Sequence, residues 1–205
     1  MVGRRKAKEP QTAVTGSRFG DAKGQPIPLF VADQNDWSRR LAVLTDEQRN
    51  WIAANGVKPA SRRVLALPGH DGAVAAIFVA VGDAAPNDPF SQSEIALGLA
   101  AAQIRPGAYA LAHPVNAPEL AAVAFGLGSY RYGRYKSAAA EPAPVLDAPD
   151  GADALRIAAN VEGVALGRDL INTPSRDMGP ADLEQAARTL AERHRAGIAT
   201  IVGDD

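Results

Sequence analysis

Cysteine is absent from the 205 residues. The chain can therefore form no disulfide, thiolate nucleophile or cysteine-bound zinc or iron–sulfur centre, and a reducing compartment such as the cytoplasm is the expected location. Long hydrophobic runs are also missing: the longest, Ala73 to Val81, has the length of a strand and falls short of the ~18 residues that span a membrane. Neither sign of charge prevails, with 22 Lys and Arg against 23 Asp and Glu, so no global field draws nucleic acid or an anionic membrane. No secretory signal is readable, because Arg4, Arg5, Lys6 and Lys8 are followed by no apolar segment.

Catalytic signatures are as sparse. His70, His113 and His194 have no metal-ligating partner three or four residues on, and His-Glu-x-x-His does not occur, so all three are expected to serve as surface or interface polarity. Asp204 and Asp205 are neighbours, and adjacent strand residues face opposite ways, which argues against a shared ion. In Gly126-Leu127-Gly128-Ser129-Tyr130-Arg131, Arg131 stands where a dinucleotide fingerprint needs its third glycine. No Walker lysine follows, and Ser129 lacks the flanking glycine of a serine elbow. No residue is assigned as catalytic, cofactor-binding or metal-binding.

What the chain does have is a 46% hydrophobic composition arranged in alternating strand-like and helix-like segments. Ile27 to Ala32 reads as a first strand. Thr45 to Asn55 reads as a helix opened by a Thr45…Gln48 capping box and closed by Gly56. Arg63 to Leu67 and Ala73 to Val81, joined by Pro68-Gly69-His70-Asp71-Gly72, predict an antiparallel hairpin and hence a mixed sheet. Gly82 to Pro89 has loop chemistry. Ser91…Glu94 opens a helix to about Ile104, Ala108 to Ala112 is a short strand, and Asn116…Glu119 opens the next helix.

Met1 to Gly24 is expected to be a flexible tail, residues 25–136 a first α/β domain, and Ser137 to Gly151, with its three prolines, a linker. Beyond it, Asp153 to Ile171 is a helix with an apolar face through Ile157, Val161, Val164 and Ile171, stopped by Pro174. Pro180 starts another helix, lined on one side by Leu183, Ala187, Leu190 and His194. Ile198 to Val202 has the β-branched composition of a buried strand. Two amphipathic helices and one strand cannot cover their own apolar faces, so residues 152–205 are expected to be the opening of a larger sheet domain.

The cluster Tyr130-Arg131-Tyr132-Gly133-Arg134-Tyr135-Lys136 interleaves rings with cations, as single-stranded nucleic acid sites do. The preferred reading is a helix end, where cations oppose the negative terminus and the rings pack with their hydroxyls wet.

Two segments, Ala124 to Lys136 and Glu162 to Asp205, resemble the leucyl (cytosol) aminopeptidases of peptidase family M17. The second carries the more specific motif, Gly167-Arg168-Asp169-Leu170-Ile171-Asn172-Thr173-Pro174-Ser175-Arg176-Asp177-Met178-Gly179-Pro180. The resemblance implies a macro-domain-like mixed sheet flanked by helices, followed by the opening helices and strand of a metallopeptidase domain. It further implies a hexameric, cytoplasmic parent that removes N-terminal residues from peptides, leucine favoured, with two divalent ions such as zinc or manganese. The family's metal-binding blocks, similar to Val-Gly-Lys-Gly and Asn-Thr-Asp-Ala-Glu-Gly-Arg, do not occur here. This chain alone is therefore expected to be inactive and to serve assembly or regulation. The alternative is a macro-like module binding a nucleotide or ADP-ribose, for which Pro68 to Gly72 or Gly82 to Asn87 are the candidate loops.

Overall fold

The computed structural model describes residues 25–82, 93–136 and 142–203. The expected tail, most of the Gly82 to Pro89 loop, Ser91, the start of the expected linker, and Asp204 and Asp205 lie outside the described residues.

Strand β1 (Ile27–Ala32) is followed by helices α1 (Trp37–Ala42) and α2 (Asp46–Ala54), then by the hairpin β2 (Arg63–Pro68) and β3 (Val74–Ala80). Helix α3 (Ser93–Gln103), strand β4 (Ala108–Leu111), helix α4 (Pro118–Gly128), the two-residue strand β5 (Val145–Leu146) and helices α5 (Ala154–Asn172) and α6 (Pro180–His194) complete the order. The sheet runs β2-β3-β1-β4-β5. β2 is antiparallel to β3, and the other pairs are parallel.

Alternation along each strand divides the core into two layers. Leu29 and Val31 of β1, with Ile77, Val79 and Val81 around β3, face α3, α4 and α5. Phe30, Ala32, Phe78 and Ala80 face α1 and α2. Trp37 closes the smaller layer by setting its ring edge-on to Phe78 at 5.3 Å. α3 and α4 touch through backbone at Gly98 and Gly128, so closely that a Cβ on Gly128 would fall 1.9 Å from the Gly98 carbonyl oxygen.

The expected Thr45–Gln48 capping box forms, with each side chain bonded to the other's backbone amide at 3.2 Å. The expected Asn116 cap does not. α4 starts at Pro118 with no side-chain cap of its own, and the amides of Asn116 and Ala117 donate instead to Glu94 Oε1 at 3.1 and 3.2 Å. A carboxylate from the neighbouring helix thus does what a local residue was expected to do. Glu119 is drawn away as well, accepting from the Asp153 amide at 3.3 Å and from Arg156 at the start of α5.

Three further expectations change. Val145 and Leu146, in the stretch expected to be a linker, pair with Ala108 and Tyr109, and Leu146 is fully buried. On α5 the buried stripe is Ile157, Val161 and Ala165, whereas Val164 and Ile171 are exposed. Ile198 to Val202 forms no strand and α6 buries no residue; their contacts include the side-chain pairs Arg188 with Thr200 at 2.5 Å and Arg193 with Glu162 of α5 at 3.5 Å. α1 was not foreseen; its six residues give too short an apolar period, and it is set instead by a turn in which Asp33 accepts from the amides of Asn35 and Asp36.

His113 continues the ladder where β4 ends. The Ala112 amide donates to Leu29 O at 2.9 Å, and the next free donor of β1, the Val31 amide, meets His113 Nε2 at 3.1 Å. Because Nε2 accepts, the neutral ring carries its proton on Nδ1, which faces Pro114 O at 3.1 Å. Burial, the largest influence, and the nearby Arg40 lower the imidazole pKa against the opposing pull of its backbone contacts and Asp36. Protonation would turn a donor toward a donor. With the folded pKa below the unfolded value, this contribution is complete above about pH 6.5 and fades as pH falls toward the folded pKa. His113→Asn is expected to flatten the loss of urea stability between neutral and mildly acidic pH; a variant as acid-sensitive as the native chain would refute the assignment.

Candidate functional site: a tyrosine clasp between two motif segments

The segment after α4 and the face of α5 are brought together residue by residue. α5 presents Ile157, Val161 and Ala165 and then, continuing the same i, i+3, i+4 stripe, Arg168, Asp169 and Asn172. Its first half packs on α4 by apolar contact; its second half is polar and receives the tyrosines. Tyr130 Oη donates to Asp169 Oδ1 at 2.7 Å and accepts from Asn172 Nδ2 at 3.2 Å, while the Arg168 guanidinium lies 5.4 Å from the centre of the Tyr130 ring. Arg168 also donates to Leu127 O at 2.9 Å, near the carboxyl end of α4.

Thr173 is buried at the centre of the contact. Its hydroxyl donates to Asp169 O at 2.7 Å, so the 2.9 Å contact with Tyr132 Oη must have the tyrosine as donor. Arg134 Nη1 donates to the same oxygen at 3.3 Å. Further out, Tyr135 Oη donates to Asp177 Oδ2 at 2.6 Å, which together with partial desolvation pushes the phenol pKa up to about 12. The Tyr130 phenol is raised too, by burial first and then by Asp169.

The expected helix-end role fits the cation Arg131, but the tyrosine hydroxyls expected to be wet are bonded to Asp169, Thr173 and Asp177. Arg131 donates to Gly128 O and Tyr130 O at 2.9 Å each and to Ala102 O at 2.6 Å, tying off the carboxyl ends of α4 and α3 together. The tyrosine hydroxyls reach α5, its C-cap Thr173 and the turn after it.

The remaining candidates do not converge. His70 is 90% exposed beside Glu47, His113 serves the sheet, and His194 is exposed at the end of α6. The Pro68 to Gly72 connection turns on itself through Gly72 N to Gly69 O and Gly69 N to Ala73 O. Among the described residues no group of three or more His, Cys, Asp or Glu side chains is placed to hold a metal ion. No helix of the described residues is long and apolar enough to cross a membrane.

Residues 26–146 match the family model described as M17 aminopeptidase, N-terminal domain. The chain belongs to the M17 aminopeptidase family. The cytosol aminopeptidase of Coxiella burnetii superposes on this M17 chain with a TM-score of 0.73 at 25% identity, covering 92% of this chain and 40% of that one. The bottromycin maturation enzyme BotP, also solved in complex with Mn, gives a TM-score of 0.62 at 22% identity over 88% of this chain and 40% of its own. A tomato leucine aminopeptidase mutant gives 0.55 at 22% identity, covering 86% and 42%. The last two show the fold alone, a mixed sheet flanked by helices. No curated protein is matched by this sequence. This M17 chain thus spans about 40% of the length of the structures it resembles.

The clasp residues on α5 are those of the motif that carried the family resemblance. Their pairing with Tyr130, Tyr132 and Tyr135 could not be read from the sequence, since each bond joins positions about forty residues apart. The available signal was the close grouping of three tyrosines against a motif containing Asp169, Asn172, Thr173 and Asp177.

Proposed function

We propose that this chain is the front portion of a metal-dependent M17 aminopeptidase that hydrolyses N-terminal residues from peptides, leucine favoured, in the cytoplasm. Residues 25–136 are its N-terminal domain, 137–151 the connection, and 152–205 the start of the peptidase domain. The two divalent ions, zinc or manganese, and the groups that activate water belong to parts of a longer parent. The parent assembles as a hexamer, and this portion contributes assembly and orientation, not chemistry.

The clasp is the observation that carries the reading. A set of mutually satisfied, partly buried hydrogen bonds fixes the N-terminal domain against the first peptidase helix, as a unit that positions a catalytic domain requires. In this role the 205-residue chain hydrolyses no leucine anilide with added manganese; activity that follows the protein through chromatography would overturn it. The orienting role has its own test. A double-mutant cycle of Tyr132→Phe and Thr173→Val on urea stability is expected to show a coupling of about 0.5–3 kcal/mol, whereas additive effects would remove the clasp as a coupled unit.

A further inference from the structure

The strand order β2-β3-β1-β4-β5 contains one reversal within its parallel part. From β1 the chain builds to one side through the hairpin, then α3 carries it back across to β4 and β5 on the other. The connections leaving the carboxyl ends of β1 and β4 therefore diverge, and a crevice opens between them, which is where open parallel sheets bind ligands. A cavity of about 260 Å³ lies there, lined by Phe30, Arg39, Arg40, Val43, Ala112 and His113.

Its charge is one-sided. Both ionised lining side chains are guanidiniums, and one carboxylate, Asp36, is shared between them at 2.6 Å from Arg40 and 3.5 Å from Arg39. Arg40 is 14% exposed, and its Nε is buried with no hydrogen-bond partner among the described residues. A buried guanidinium donor without an acceptor is costly. His113 adds no charge while its Nε2 accepts from Val31. The walls are apolar, formed by the Phe30 ring and by Val43 and Ala112.

We infer that this cleft binds a small monocarboxylate with a short aliphatic body, its carboxylate on Arg40 and Arg39 and its body against Phe30 and Val43. Two cations and one acid leave a single positive charge, which a monoanion balances and a dianion beside Asp36 would exceed. A planar carboxylate matches the fork of a guanidinium. The cavity is smaller than the ~300–1,000 Å³ typical of pockets for drug-sized ligands, which limits the body to a few carbons. This inference stands apart from the peptidase reading and would survive its failure.

The experiment is an NMR titration of the full chain with 4-methylpentanoate, following the His113 imidazole and Arg40 Nε–H resonances. The expected result is a saturable shift, weakened at least about tenfold when the neutral 4-methylpentanamide replaces the acid. Arg40→Gln is expected to weaken binding to a similar degree. Because that variant also loses its ion pair with Asp36 and can fail to fold, Val43→Asp is the parallel test. Val43 is 67% exposed, so the fold tolerates the change while a carboxylate is set on the cleft wall. No saturable shift in the tens of millimolar, equal binding of the amide, equal binding of inorganic phosphate, or undiminished binding by folded Val43→Asp would each overturn the inference.

Discussion

Gly128→Ala is expected to destabilise the chain by more than about 4 kcal/mol, the range that single substitutions reach only through severe mechanisms. An added Cβ would stand 1.9 Å from Gly98 O, 2.6 Å from its carbonyl carbon and 2.7 Å from its Cα. All three obstacles are backbone, so no rotamer change relieves them, and α3 and α4 must separate. Separation uncovers Leu97, Ala100, Ala101, Ala121, Ala122 and Phe125, all completely buried at present. Gly98→Ala should be milder, at about 1–3 kcal/mol, because its Cβ would meet only Ala124 O closely, at 2.9 Å. Gly163→Ala on α5 supplies the contrast: nothing lies within 4 Å, and replacing a helical glycine should add about 0.5–1 kcal/mol. Urea midpoints followed by circular dichroism would rank the three. A Gly128→Ala protein as stable as the native chain would mean that the two helices do not meet through backbone.

The second large effect is expected at Glu94, where Glu94→Ala should cost about 2–3 kcal/mol. Glu94 is only 8% exposed, and its Oε1 accepts from the amides of Asn116 and Ala117, which approach α4 from outside the helix's own bonding. Removing it leaves two partly buried donors unmet and takes a negative charge from the positive end of α4. Glu94→Gln keeps an acceptor and loses the charge, so about 1 kcal/mol is expected. Asn116→Ala should change stability by less than about 0.5 kcal/mol, since its side chain caps nothing. The reverse ranking, with Asn116→Ala the more damaging, would restore a local cap and refute the cross-helix one.

These two sites show how far local patterns reach. The Thr45–Gln48 box was legible because both partners lie within one helical turn, and the hairpin because Pro68 to Gly72 joins two β-rich runs. Asn116 looked like a cap by the same local rule, but Glu94 comes from 22 residues away and no pattern announces it. The Gly126-Leu127-Gly128 run invited comparison with phosphate-binding loops, and the fold uses Gly128 to bring two backbones together. The motif on α5 marked the family, yet its side chains acquire a role only against three tyrosines that precede a separate connection. Ile198 to Val202 shows the opposite failure: strand composition alone forms no strand where, among the described residues, no other strand pairs with it.

By itself, then, the sequence determined the alternation of strands and helices, most of their starts and stops, the absence of cysteine chemistry and of a histidine metal motif, and the family. All of these depend on residue type and on contacts within a turn or two. Only the tertiary structure decided which strand lies beside which, that Val145 and Leu146 complete the sheet, that His113 extends it, that Tyr130, Tyr132 and Tyr135 close on α5 and the turn after it, and that two arginines line a cleft beside the ends of β1 and β4. These rest on contacts between residues distant in the chain, whose energies come from burial and hydrogen-bond satisfaction that no local window contains.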